Sequence, residues 1–144
     1  MANSVFFNSY FSAILQAQIN HLTGNVCLAL LNNSYVFNPD SQLHFSDVGS
    51  YEVTGTGYTA GGQSLASKAL SVDDPDSYVW YQAANVSWPA STISARWGLV
   101  YLNTGDPTTS PLMYLIDFGS VQSSGAGTFL VNWDTRGIAY FSGL

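Results

Sequence analysis

Residues 93–120, ISARWGLVYLNTGDPTTSPLMYLIDFGS, contain two apolar runs, at 95–102 and 112–118, separated by a loop rich in Asn, Thr, Gly, Asp, Ser and Pro. This arrangement predicts a β-hairpin with a long connection. In the first run the alternation of strand residues places Trp97, Leu99 and Tyr101 on one face and Gly98, Val100 and Leu102 on the other. In the second run Leu112, Tyr114 and Ile116 alternate with Met113 and Leu115. Because neither set is polar, both faces must be covered, either within the subunit or by a neighbouring subunit.

The composition indicates one domain, residues 1–144, with an unusual surface. Hydrophobic residues make up 47% of the chain and charged residues only 8%, against about 25% charged residues in ordinary soluble domains. Uncharged polar residues must therefore meet the solvent. This pattern is more typical of an extracellular, particle-borne or oligomeric β protein than of a cytosolic enzyme.

The charge argues against one class of partner, nucleic acid, and the cysteine content argues against internal disulfides. The net charge is -6 and the three cations, Lys68, Arg96 and Arg136, are widely spread, which argues against nucleic acid. The single Cys27 lies in an apolar run, so we expect a buried thiol, no internal disulfide and folding in a reducing compartment. Polar residues interrupt the uncharged segment 1–39 at short intervals, so we expect no membrane span. No basic region precedes an apolar stretch, so we expect no signal peptide either.

The N-terminal segment predicts one amphipathic helix over residues 8–22. Its apolar side would carry Phe11, Ile14, Leu15 and Leu22, with Asn8 or Ser9 as N-cap and Gly24 as the stop. The preceding residues Val5, Phe6 and Phe7 are too apolar for a free tail, and they are either a core plug or a docking arm. We predict that Val5, Phe6, Phe7 and the Phe11 side of the helix contact a neighbour, with core packing as the open alternative.

The remaining apolar runs predict short strands. Residues 26–31 form a strand that partners the hairpin, residues 45–48 a helical turn, and residues 63–72, 78–83 and 85–88 further strands, the last one ended by Pro89. Residues 128–133 and 138–141 form a last hairpin around residues 134–137. About eight strands at this spacing predict a mainly β fold, a single-domain β-sandwich or jelly roll with one N-terminal helix.

Polar motifs give weak evidence for chemistry. Gly55 and Gly57 begin a nucleotide fingerprint, but the later position is Ala60 and no crossover helix is expected. The acidic turn at residues 73–76, with Asp73, Asp74 and Asp76, does not follow the calcium-loop spacing. We interpret both as ordinary turns.

The remaining titratable residues predict structural roles. His21 and His44 lack metal-ligand spacing and are expected to form hydrogen bonds at half-buried positions. Glu52 is the only Glu, and Asp117 lies nearly opposite Arg96 if the hairpin strands pair, which predicts an ion pair before a catalytic acid. We expect no enzyme, no metal and no cofactor.

Aromatic residues allow one further function. The chain contains 4 Trp, 9 Tyr and 8 Phe, enough for a surface that stacks sugars. The tryptophans, Trp80, Trp88, Trp97 and Trp133, lie in or beside the expected strands, so we favour core or subunit-interface positions for them. Glycan binding is the second hypothesis.

Several stretches taken together resemble a family of small virion structural proteins of tailed bacteriophages. These are NVCLALL at 25–31, YEVTGTGYTAGG at 51–62, VSWPASTISA at 86–95, TSPLMYLIDFGS at 109–120 and VQSSGAGTFLVNWDTRGI at 121–138. The most specific marker is EVTGTGYTAGG, which contains Gly55, Gly57, Gly61 and Gly62 and marks a fold without naming a chemistry. The sparse charge of the N-terminal segment and the extension at residues 142–144 depart from that family.

The resemblance implies a head decoration or capsid cement protein. Such a protein is made in the host cytoplasm, forms a homotrimer, sits on the outer surface of the capsid and bridges neighbouring major capsid proteins. It has no catalytic residues to transfer, no cofactor, and neither nucleic acid nor membrane as a partner. The alternative is a head- or tail-borne adhesin, a carbohydrate-binding module that contacts the host surface.

Overall fold

The computed structural model describes residues 4–73, 75 and 77–142, which contain ten β-strands, one α-helix and two short 3-10 helices. The elements are β1 (Ser4–Phe6), α1 (Asn8–Leu15), β2 (Val26–Leu31), 3-10 turns at Phe45–Asp47 and Gly49–Tyr51, β3 (Gln63–Ser64), β4 (Ala69–Asp73), β5 (Tyr78–Gln82), β6 (Val86–Ser91), β7 (Ser94–Leu102), β8 (Leu112–Ser123), β9 (Gly127–Val131) and β10 (Ala139–Ser142). The mainly β fold class is confirmed.

The strands form three antiparallel sheets. The largest has the order β1-β8-β7-β2-β3, the second β10-β5-β4, and the third β6-β9. The predicted hairpin is present as β7 and β8, and β2 pairs with β7 along its whole length, as predicted for a partner of the hairpin. Cys27, in the middle of this sheet, is buried.

A β-bulge changes the two faces of the hairpin. Val100 pairs with Tyr114 but Tyr101 pairs with Leu112, which leaves Met113 as the extra residue. Met113 therefore packs on the same side as Tyr114, and Leu112 packs on the opposite side. The strict alternation predicted for this strand, with Leu112 and Tyr114 on one face, is wrong for that reason.

Two core clusters cover the two faces of the large sheet. The first core contains side chains from β2, β7 and β8 together with residues of α1, β5, β6, β9 and β10. The second core contains the opposite side chains of β2, β7 and β8 together with Phe7, Tyr35 and Val48. The sequence left open whether the chain itself or a neighbouring subunit covers the two faces of the hairpin, and the structure shows that the chain itself covers both.

Helix α1 is shorter than predicted and buries a different face. It ends at Leu15, and Tyr10 and Ala13 are its buried residues, whereas Phe11 is 45% exposed and Leu15 86%. Ala17 adopts a left-handed conformation with φ 57°. The N–H of Gln18 donates to the carbonyl of Ala13, which closes a Schellman-type end long before Gly24.

Three strand predictions need correction. The run at 63–72 divides into β3 and β4, which belong to different sheets. Strand β6 continues through Pro89, because it has β9 as its only neighbour among the described strands and its register shifts after Trp88. The last two strands do not pair with each other, since β9 joins β6 and β10 joins β5. The turn between them exists, but Ile138 donates its N–H to the carbonyl of Tyr81 and so starts β10 beside β5.

Candidate functional site

The loop that carries the most specific sequence marker is held by Glu52. The Glu52 Oε1 atom accepts hydrogen bonds from the Tyr58 hydroxyl at 2.7 Å and from the Gly61 N–H at 2.6 Å. The Tyr58 oxygen in turn accepts the N–H of Leu30 at 3.0 Å. The chain's only glutamate is thus used to fasten this loop to β2.

Close backbone approach explains the glycines of this loop. A Cβ atom on Gly62 would lie 1.9 Å from the Leu28 carbonyl oxygen, and one on Gly55 would lie 2.3 Å from the Thr92 carbonyl oxygen. Both residues also have positive φ, 74° and 152° respectively. The glycines let the loop lie directly on β2 and on the residues after β6, which is a structural role.

Burial governs the electrostatics of the loop. Desolvation raises the pKa of Glu52 above its ordinary value, although the hydrogen bonds from Tyr58 and Gly61 oppose the shift. The pKa of Tyr58 is also raised, first by burial and then by the neighbouring Glu52 charge. A phenol of that kind remains a proton donor to the carboxylate and holds the loop closed.

His21 lies in a group of tyrosines in the first core. Its Nε2 atom is 2.8 Å from the Tyr10 hydroxyl and 2.6 Å from the Tyr114 hydroxyl, and its carbonyl accepts the Tyr81 hydroxyl at 2.8 Å. Burial lowers the pKa of the His21 imidazole, so the neutral ring is favoured. The four residues are far apart in the chain, and no sequence spacing marks them as a group.

The ion pair between Arg96 and Asp117 forms across the hairpin. The Arg96 guanidinium also lies 4.1 Å from the centre of the Trp97 ring, and Asp117 accepts the N–H of Gly119 at 2.7 Å. The hydrogen bond from Arg96 is the largest cause that holds the pKa of Asp117 below its ordinary value. These contacts link β7 to β8 at the surface of the protein.

No group of three or more His, Cys, Asp or Glu side chains suited to a metal occurs among the described residues. Asp74 and Asp76 of the acidic turn lie outside the described residues. His44 forms a capping box with Asp47, whose Oδ2 accepts the N–H groups of Leu43 and His44 at 2.9 Å each. Its place is at the start of a 3-10 turn.

The predicted interface residues divide between core and surface. Phe7 is fully buried in the second core, and Phe6 is half-buried against Tyr10 and Tyr114. Val5 and Phe11 are exposed. The side chains of Phe11 and Leu15, one helical turn apart, form with Asn8 and Ser12 an exposed surface that we call the α1 face. At its edge Asn8 donates to the carboxylate of Asp40.

The aromatic side chains are mostly inside. Trp88 is buried, and Trp80, Trp97 and Trp133 are half-buried. A second aromatic group lies on the outer face of the β10-β5-β4 sheet, where the rings of Tyr78 and Tyr140 are 5.1 Å apart. The Arg136 guanidinium lies 5.1 Å and 5.6 Å from the centres of these rings.

One shallow groove of about 290 Å³ runs between β8 and β9. Phe118, Gln122 and Phe129 are among the residues that line it, and none of its lining residues is titratable. The groove provides apolar contacts, the Gln122 amide and the hydroxyl groups of Ser123 and Thr128.

Within the described part of the chain, the helices are too short or too polar to cross a membrane. Comparison with protein-family models, with curated proteins and with solved structures finds no match to this chain. The functional argument therefore depends on the residues and surfaces described above.

Proposed function

We propose that this chain is a non-enzymatic structural protein of a tailed-bacteriophage virion, a capsid decoration protein on the outer surface of the head. The observation that carries the proposal is the α1 face, where Phe11 and Leu15 are exposed on a helix that has no charged residue. Exposed apolar side chains on an element without charged residues of its own are typical of the central part of protein interfaces. Its proposed partner is the major capsid protein.

Three titratable side chains form hydrogen bonds or an ion pair within the chain, which supports a structural role. Glu52 is tied to Tyr58 and Gly61, His21 to two tyrosines, and Asp117 to Arg96. Each of these groups stabilises the fold through partners in its own chain. The architecture fits the same role, and we propose that the large sheet and the two small sheets form a sandwich-like body around the first core.

The proposed mechanism is stabilisation by mass action. A protein that binds the assembled lattice and not the free subunits shifts the equilibrium toward the assembled shell. We propose that the copies act as homotrimers that bridge neighbouring capsid subunits, as the family resemblance implies. Burial of the α1 face against the capsid contributes on the order of 25 cal/mol per Å² before the costs of association are subtracted.

The test uses heads from which this protein has been deleted. Purified protein should rebind to such heads at a fixed ratio to the capsid subunits and raise the temperature at which they release DNA. The double variant Phe11→Lys, Leu15→Lys should bind at least about tenfold more weakly, because two desolvated anchors are lost. Circular dichroism checks that the fold is retained, since Leu15 is 86% exposed whereas Phe11 also packs against the rings of Phe6 and Tyr10.

The matched control is Leu130→Lys, an exposed leucine on β9. This variant should rebind like the unmodified protein. Failure of the unmodified protein to bind heads at any ratio would remove the proposal.

A second function, glycan binding by a head- or tail-borne adhesin, is favoured by the outer aromatic group. Tyr140 is half exposed, Tyr78 lies against it, and Arg136 presents guanidinium donors beside both rings. An aromatic face next to hydrogen-bond donors suits a sugar ring. A glycan array should then show binding that Tyr140→Ala abolishes and Leu130→Ala preserves, and an array without any signal rejects this function.

A further inference from the structure

The three-stranded sheet ends at β4, whose outer edge has no neighbour among the described strands. In the pairing with β5, Leu70 lies opposite Tyr81 and Val72 opposite Val79. Directly opposed residues share a face of the sheet, and Tyr81 is fully buried in the first core. Leu70 and Val72 thus project from the core side of the sheet, yet they are 48% and 69% exposed. These two side chains of β4 therefore lie on the core side of the sheet without being covered by the core.

We propose that β4 pairs with β4 of a second copy of this chain, antiparallel and around a twofold axis at Ser71. An edge strand presents a row of backbone N–H and C=O groups that a further strand can satisfy. A twofold contact uses the same surface on both copies, so one exposed edge is sufficient. The result is a continuous six-stranded sheet with the order β10-β5-β4-β4-β5-β10.

The register follows from the side chains. Directly opposed residues of an antiparallel pair point to the same face of the sheet, and residues on one face of β4 are all even-numbered or all odd-numbered. The numbers of two opposed residues must therefore have an even sum. With Ser71 opposite Ser71, each Leu70 lies opposite a Val72 of the other copy, and the uncovered apolar side chains meet in two cross-strand pairs. An axis at Leu70 would instead oppose Val72 and Lys68.

Backbone pairing and the apolar cross-strand pairs carry this contact. Lys68, which immediately precedes β4, donates to the carbonyl of Gly24 in its own chain and has no part in it.

The inference is independent of attachment to a capsid. A twofold contact gives dimers from monomers, and it gives hexamers from trimers where the three edges of one trimer meet those of one other trimer. Loss of binding to heads would remove the decoration proposal and leave this contact in place.

The sharpest test is a single cysteine at the axis. In Ser71→Cys the two Cβ atoms lie about 4.5–5.5 Å apart across the pair, and a small adjustment brings them to the distance of a disulfide. The native thiol does not compete, because Cys27 is buried. Mild oxidation should give a covalent dimer on a non-reducing gel, whereas Ser120→Cys, on an exposed part of β8, should stay monomeric on the gel. Equal crosslinking of the two variants contradicts the proposal.

Sedimentation supplies the second measurement. The unmodified protein should show a species of doubled mass that grows with concentration. Val72→Lys should weaken that association at least about tenfold, since each copy then opposes a cation to Leu70. Val121→Lys, at an exposed position on β8, should leave it unchanged. A mass that does not double at any concentration, or doubling that Val72→Lys does not weaken, overturns the inference.

Discussion

His21 joins the end of the N-terminal segment to the hairpin and to β5 through single hydrogen bonds. Tyr10, Tyr81 and Tyr114 surround it, and none of these groups carries a charge at neutral pH. Because the folded state holds the pKa of this histidine below the value near 6.5 of the unfolded chain, the unfolded state binds the proton more tightly. This contribution to stability is full above pH 6.5 and declines as the pH falls.

The first prediction is that the free energy of unfolding falls between pH 7 and pH 5 by a component that His21→Gln removes. The loss should reach about 1.4 kcal/mol for each unit by which the pKa is lowered. Glu52 acts in the opposite direction, since its raised pKa makes protonation stabilising. The two proteins must therefore be compared by urea titration at each pH. With His44→Gln as the matched control the decline should persist, and a parallel pH dependence in all three proteins would count against the assignment.

Gly62 gives the second prediction at the residue scale. In Gly62→Ala the new Cβ would collide with the backbone of β2, and φ is already in the left-handed region. Overpacking and backbone strain together should cost about 3 kcal/mol. Gly105→Ala has the same sign of φ but nothing within 4 Å, so it should cost only about 1 kcal/mol. Equal losses in thermal or urea unfolding would show that close approach is not the cause.

Residue-scale structure was predictable only where it follows from strand pairing. The position of Asp117 nearly opposite Arg96 follows from the hairpin, and the two side chains do meet. The tyrosine group around His21 unites residues 10, 21, 81 and 114, and the fold alone brings them together. The extra residue Met113 was missed because a bulge interrupts the period of two without any glycine or proline to mark it.

At the scale of elements, strands that are apolar on both faces were the most predictable. Strand β2 has the predicted bounds, and β7 and β8 form the predicted hairpin. The partners of β9 and β10 were not predictable, because sheet membership depends on contacts between distant segments. Helix α1 was predicted with the wrong buried face, since Tyr10 enters the first core and turns Phe11 and Leu15 outward.

The third prediction concerns strand β1 and the residue that follows it. Phe7 is fully buried and packs on the ring of Phe37 at 5.1 Å, whereas Val5 is exposed on the same edge of the sheet. Phe7→Ala should destabilise the protein by about 3–5 kcal/mol through cavity formation. Val5→Ala should cost about 1 kcal/mol or less. Chemical denaturation measures both, and a small loss for Phe7→Ala would mean that the segment is a docking arm.

For the whole molecule, the scarcity of charge does not require a neighbour to cover the hairpin. Both of its faces are buried within the chain by the first and second cores. Exposed apolar side chains remain at several places, among them Val36 and Leu130, and neighbouring pairs of them occur on the α1 face and along the edge of β4. These two surfaces, and not the central strands, are where we place association.

The fourth prediction follows from the nature of these surfaces. Of the three cations, Arg96 is paired with Asp117, and Lys68 donates to the carbonyl of Gly24. Association at the α1 face and at β4 depends mainly on apolar contacts, so raising the salt concentration should change the dissociation constants by less than about threefold. A titration of binding against salt measures this, and a steep decline would indicate an electrostatic interface.

The buried position of Cys27 makes its thiol a probe of whether the protein is folded. A thiol-specific dye has no path to the sulfur while β2 lies between β7 and β3, so labelling should occur only through molecules that have transiently opened. Under conditions where reclosing outpaces labelling, the rate of dye uptake then reports the free energy of that opening. A damaged or partly denatured preparation should take up the dye faster than an intact one.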